Sequence, residues 1–157
     1  MIAWSERSRL VAHFLNPALI AGVIVVCASD YQRARSEPMP WVLSFLVAPL
    51  VLHGPSRRAL PRDTRTHLST WVSRNQLAVV GFPDRARELV PDVRAGIRYG
   101  IRCGSLTLSD QRLYAEQVAA PGAGPLGELL RAGAFAGRWL AKIDKPATAY
   151  ALFGVSP

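Results

Sequence analysis

Cysteine, lysine, histidine and long apolar runs are all scarce in this 157-residue chain, and each scarcity excludes a class of protein. Its two cysteines, Cys27 in an apolar run and Cys103 beside Gly104, form no CxxC pair. That argues against a disulfide scaffold or a thiolate zinc site, and two buried thiols in a reducing cytosol are expected. The two most apolar stretches, Pro17–Ser29 and Pro40–Leu52, span about 13 residues each, whereas a bilayer-crossing helix needs about 20. Polar residues close the first and Pro49 interrupts the second, so both read as buried helices in preference to a membrane hairpin. The opening Met1–Arg7 lacks the basic flank and apolar run of a signal peptide, so a cytoplasmic location without membrane attachment is expected.

Catalytic patterns are missing as well. His13, His53 and His67 stand apart, with no HxH, HExxH or HxxE spacing that would gather metal ligands. No GxxxxGK(S/T), GxGxxG or GxSxG pattern exists to cradle a nucleotide or present a nucleophile. Gly122-Ala123-Gly124 lies between no strand and helix that would give it meaning. Asp and Glu occur singly, so no helical face presents paired carboxylates. The expectation is a protein that is not an enzyme and holds no metal and no cofactor.

What is present is apolar and basic. Half the residues are hydrophobic, which rules out wholesale disorder and provides for one sizeable core. Lys and Arg number 19 against 11 Asp and Glu, a formal charge of +8. Nearly all the cations are arginine, since only Lys142 and Lys145 are lysine. Such a balance favours nucleic acid, an acidic protein or an anionic surface as partner. GC-rich codon usage would produce the same arginine excess.

Hydrophobic spacing predicts a mainly helical fold. Leu10, Val11, Phe14 and Leu15 share one face of a helix over residues 6–15. Asn16-Pro17 is an N-cap followed by a first-turn proline, opening a second helix through Ile20, Val23, Ile24 and Cys27 toward Tyr31. That helix is apolar nearly all round up to Ala28 and should be central. Residues 36–40 read as a rigid break, after which Pro40 opens a helix through Trp41, Phe45 and Ala48 that Pro49 ends or kinks. His53-Gly54-Pro55 reads as a turn, residues 56–60 as one helical turn, and 61–64 as a polar link. A helix over residues 64–75 buries Leu68, Trp71 and Val72.

Residues 82–103 carry Leu89, Val90, Val93, Ile97 and Ile101 at helical spacing, with Pro91 marking a kink or a junction of two helices. Leu106–Leu108 and Leu113–Ala115 flank a polar turn and read as a β-hairpin. A small-residue linker over 119–127 precedes an amphipathic helix marked by Leu126, Leu129, Leu130, Ala136, Trp139, Leu140 and Ile143. Tyr150, Leu152 and Phe153 form an apolar end docked on the core. The expected fold is a mainly α, single domain over 1–157. It has a helical N-terminal part over 1–60, a winged-helix-like centre over 64–116 carrying one short β-hairpin, and C-terminal helices over 126–157.

Two patterns have a surface or packing meaning. Arg94, Arg98 and Arg102 stack four residues apart on one helical face, and Arg85 and Arg87 extend the charge one turn earlier. They form either a phosphate-contacting ridge on the helix before the wing or a solvated, partner-facing row. Gly96, Gly100 and Gly104 are also four apart, echoed by Gly133 and Gly137 on the last long helix. Glycine in a helix interior costs about 1 kcal/mol against alanine, so close backbone approach is the expected reason. The two helices would cross at Gly96, Gly100, Gly133 and Gly137, within one chain or across a homodimer. Trp4, Trp41, Trp71 and Trp139 are the large anchors available for an interface, although their apolar faces favour core packing.

Short segments spread along the chain resemble a known family. Trp4-Ser5-Glu6-Arg7, Leu15-Asn16-Pro17-Ala18 and Pro49-Leu50-Val51-Leu52-His53 come first. Leu60-Pro61, Thr64, Gly81-Phe82, Arg85-Ala86 and Leu89-Val90-Pro91 follow. Gly137-Arg138-Trp139-Leu140-Ala141 and the final Leu152-Phe153-Gly154-Val155-Ser156-Pro157 complete the set. Together they resemble the small middle-component proteins of bacterial three-component ABC-ATPase systems. The resemblance implies a non-catalytic adaptor subunit that links an SMC-like ABC ATPase to an effector protein, in antiviral defence against invading DNA. It implies those two subunits as partners, with DNA contact through the assembled complex as an open option. A stand-alone winged-helix DNA-binding regulator is the alternative.

Overall fold

The computed structural model describes residues 15–116, 118 and 120–156. The helix expected over residues 6–15, with Leu10, Val11 and Phe14, therefore lies outside the described residues up to Leu15, as does Trp4.

Helix α1, Pro17–Arg35, organises everything else. Asn16 caps it, its Oδ1 accepting the Ala18 amide at 2.8 Å, and Pro17 occupies the first turn, where no amide is needed. Ile20, Val23, Ile24 and Cys27 are almost wholly buried, each aliphatic side chain contributing about 1.5–3 kcal/mol of hydrophobic stabilisation. The chain then forms strand β1 (Met39–Pro40), a 3-10 turn (Trp41–Leu43), and helices α2 (Ser44–Leu52) and α3 (Gly54–Arg58). Helices α4 (Leu68–Arg74), α5 (Gln76–Val79), α6 (Phe82–Glu88) and α7 (Val90–Arg102) come next. Strands β2 (Leu106–Ser109) and β3 (Arg112–Ala115) precede α8 (Gly124–Leu140) and α9 (Pro146–Leu152). The fold is mainly helical, with one small antiparallel sheet of order β1-β3-β2.

The predicted hairpin is β2–β3, in the register Leu106↔Ala115 to Ser109↔Arg112. Its two turn residues, Asp110 and Gln111, both have positive φ, as a tight hairpin of right-handed twist requires. The third strand was not expected. Residues 36–40 read as a break, yet Met39 pairs with Leu113 and Pro40 with Arg112. Pro40 therefore both closes a strand, which its edge position permits because it needs no donor there, and caps the 3-10 turn that runs into α2, as its expected helix-opening place requires. The sheet thus draws in β1 from outside residues 64–116, the segment over which a winged-helix-like centre was expected.

Proline placed other boundaries differently too. Pro49 does not end its helix: α2 continues through it to Leu52, with Leu46 to Val51 all buried. Burial of so many apolar groups outweighs the single hydrogen bond that proline removes. Pro91, by contrast, sits in the first turn of a new helix, so residues 82–103 divide into α6 and α7 at Leu89. The expected helix over 64–75 is only α4, because side chains at and just beyond the end of α8 claim the backbone before it. Lys142 Nζ donates to the Thr64 carbonyl at 2.6 Å and Trp139 Nε1 to that of Thr66 at 2.7 Å. The linker expected over 119–127 is shorter than its composition suggested, since α8 starts at Gly124 with Pro125 in its first turn.

α1 packs most extensively against α8 and α7. Around it the core is aromatic: Trp71 meets Trp139 edge-on at 5.4 Å, and Phe82 stacks on Phe153 at 4.3 Å. That stack docks the C-terminal end, as its apolar residues predicted. Asp30, at the far end of α1, pairs with Arg138 of α8 and lies 3.7 Å from Arg33.

Candidate interaction surface

Two groups of arginines stand out once side chains are placed. One group braces the backbone from within. Arg35 donates to the carbonyls of Ala141 and Ile143, closing the C-terminal end of α8, and Arg57 donates to Val51. Arg112 donates to Pro38 at 2.8 Å, fixing the approach to β1. Arg85 belongs here as well. Its guanidinium donates to Val80 at 2.8 Å and Ala78 at 3.3 Å, and lies 5.8 Å from the Phe82 ring centroid.

Arg94, Arg98 and Arg102 form the other group. All three are exposed on α7 and, among the described residues, none has an ion pair or side-chain hydrogen bond. Arg87 is also exposed, paired with Asp84 at 3.0 Å. The five-residue ridge expected from spacing is thus a three-residue row on α7 with Arg87 on α6, while Arg85 turns inward. The split at Leu89 is the reason, because it breaks the helical phase between the two sets. Beside the row, Tyr99 and Ile101 are partly exposed, as are Leu108 and Tyr114 on the hairpin. Ile101 was expected on the buried stripe, but that face ends in Ile97 and Gly100. Cys103, also expected to be buried, is exposed just past the end of α7. Cys27 is buried, and desolvation, with Asp30 adding to it, pushes its thiol far above the ordinary range.

The glycines fit against something other than each other. An added Cβ on Gly96 would lie 2.6 Å from Ile20 Cγ2, and one on Gly133 would lie 3.0 Å from the Val23 carbonyl oxygen. At Gly137 it would collide with the Cys27 carbonyl oxygen. Within the chain, α7 and α8 do not cross at their glycine faces; Gly96 of α7 and Gly133 and Gly137 of α8 turn onto α1. Gly100 faces Leu106 of the hairpin at 2.7 Å and not a helix. The central helix needs close neighbours on two sides, so both flanking helices lose their Cβ atoms there.

Sequence reasoning missed two features assembled from distant segments. His53 is one. Its Nδ1 accepts the Ser56 amide at 3.3 Å, capping α3, and the single Ser56 hydroxyl proton is shared between that nitrogen at 2.7 Å and the Ala78 carbonyl at 2.6 Å. Partial burial, then Arg85, Arg58 and Arg57, hold its imidazole below the usual range, so the neutral acceptor form is favoured. Ser56 is completely buried, so this His–Ser contact is structural. A groove of about 410 Å³ is the other, between the 3-10 turn, α6, the start of α7 and the C-terminal segment. Trp41 and Phe45, edge-on at 5.4 Å, form one side, and Tyr150, whose hydroxyl donates to Val42 at 2.6 Å, forms another. Arg87 and Arg94 stand at its edge. Among the described tryptophans only Trp41 reaches this surface; Trp71 and Trp139 are core.

Among the described residues no group of three His, Cys, Asp or Glu side chains is placed to hold a metal ion, and no helix is long and apolar enough to cross a membrane. No curated protein and no solved structure matches the chain. A family model does, over residues 4–157: ABC-three component (ABC-3C) system Middle Component 3. With nearly its whole length matched, the chain belongs to the Middle Component 3 family of ABC-three component systems.

Proposed function

We propose that this middle component is a non-catalytic adaptor, a single domain over residues 1–157 that links an SMC-like ABC ATPase to an effector in a bacterial system acting in the cytoplasm against invading DNA. Membership of the family over residues 4–157 is the observation that carries the reading. The physical picture supports it: a helical body braced by inward arginines, with a row of three exposed cations, Arg94, Arg98 and Arg102, on α7 placed to meet an acidic surface. Its role is then geometric, holding two larger subunits at a fixed separation and orientation. Co-expression with the ATPase and effector encoded alongside it tests this. Co-elution of all three on size exclusion is expected, and the mass of that complex reports whether the adaptor enters singly or as a homodimer. Failure to co-elute with either subunit would overturn the proposal.

A second reading rests on the same exposed row. Arg94, Arg98 and Arg102 lie on the helix that leads into the hairpin, the arrangement of a winged helix placed on phosphates. A stand-alone regulator binds duplex DNA by itself, with affinity falling steeply between about 50 and 200 mM salt. An adaptor binds little DNA until assembled.

A further inference from the structure

We propose that the groove between Trp41 and Tyr150 receives an acidic segment of a partner subunit, one that inserts a large apolar side chain between carboxylates. The inference rests on the adaptor reading and names the surface and chemistry by which that adaptor holds a partner. Volume comes first: about 410 Å³ is within the range of sites that enclose small ligands, and is enough for one or two bulky side chains. Chemistry comes next. Phe45, Ala86 and Val90 give the interior an apolar lining, and the Tyr150 hydroxyl is already taken by Val42, leaving its ring as apolar wall. A phosphate backbone would find few donors inside.

Charge selects among apolar occupants. Among the described residues no Asp or Glu lines the groove, whereas Arg87 and Arg94 do. Arg94 has no ion pair among the described residues, and the only pair of Arg87 is with solvent-exposed Asp84, a bond that a better-placed carboxylate replaces at little cost. A neutral or basic segment would leave two cations facing it unanswered; an acidic one satisfies both. The walls are also set in advance. The Trp41–Phe45 contact, the Tyr150–Val42 bond and the Phe82–Phe153 stack fix three sides, so little ordering entropy opposes binding.

The experiment uses the complete complex. Ala147→Trp fills the groove from an exposed helical position, and Arg94→Glu reverses its edge. Each is expected to weaken assembly at least about tenfold, while Arg62→Glu, the same charge change at an exposed residue outside the groove, changes it less than about twofold. A photo-reactive benzoylphenylalanine at position 147 then identifies the occupant by cross-linking, and this readout holds even where a variant folds poorly. A cross-link to an Asp/Glu-rich partner segment is the expected result. Complex formation by wild type and groove variants alike, without such a cross-link, overturns the groove and leaves the adaptor standing. A cross-link to a second copy of the chain, to its own residues 1–14 or to a basic segment does the same. If the wild-type chain assembles with neither subunit, both readings fall together.

Discussion

His53 caps α3 through an unprotonated ring nitrogen, and this makes one residue a determinant of how stability depends on pH. Its folded-state pKa lies below the ordinary 6.5, so in that window the unfolded chain binds the proton more readily. The contribution is therefore complete above about pH 6.5 and is lost as pH falls through the folded value. Denaturant melts from pH 7.5 down to about 5 should show a falling midpoint. His53→Asn keeps an acceptor at the cap and should flatten that slope. Asp63 does not confuse the result, since its own lowered titration acts below 3.8. Arg85 makes the companion case. Arg85→Ala strips two carbonyls of a charged donor and should cost about 1.5–3 kcal/mol, whereas exposed Arg74→Ala should stay within about 0.5 kcal/mol, both read from urea melts. Neither role was visible in the sequence, where His53 stood in a turn and Arg85 was one more cation on a helix. Ser56 meets His53 through a local cap, but Ala78 and Val80 reach Arg85 only through a chain reversal that no periodicity encodes.

At the level of helices, the contrast between two glycines measures how closely α8 approaches α1. Gly137→Ala drives a methyl group into the Cys27 carbonyl and should destabilise by about 2 kcal/mol or more. Gly22→Ala, on α1 itself, places its Cβ 3.5 Å from Leu130 Cδ2, an ordinary contact, and should be neutral or gain up to about 1 kcal/mol from helix propensity. Thermal melts of the two variants separate close approach from mere tolerance. Asn16→Ala tests the start of α1 and should cost about 1 kcal/mol in the same measurement. These helices were largely legible, because cap chemistry and apolar spacing are local signals: α1, α7, the hairpin and α8 follow from them. Strand β1 was not, since a two-residue strand has no period and exists only because Leu113 and Arg112 arrive beside it. Pro49 does not end its helix for a related reason: a local rule about hydrogen bonds is outweighed by burial that only the assembled fold provides.

Across the whole molecule, charge is distributed with a purpose that composition hides. Inward arginines serve as backbone donors, and one row of exposed cations, Arg94, Arg98 and Arg102, runs along α7 beside the groove. Reversing Arg94 and Arg98 together should leave the melting curve within about 0.5 kcal/mol of wild type. It should slow association with an acidic partner about tenfold and weaken its salt dependence, as stopped-flow mixing at two ionic strengths would read. The row itself could be read from four-residue spacing. The groove could not, because its walls come from four separated stretches between Trp41 and Ser156, none of which looks concave alone.

The enclosure of α1 also governs how this protein comes off the ribosome. Its apolar surface emerges early, yet the helix that covers most of it, α8, is completed only at Leu140. At ordinary synthesis rates that gap lasts on the order of ten seconds, during which the face that α8 will cover meets a crowded solution. Expression yield should therefore respond to chaperone supply and to slow codons between the two helices more than to any single contact in the finished fold.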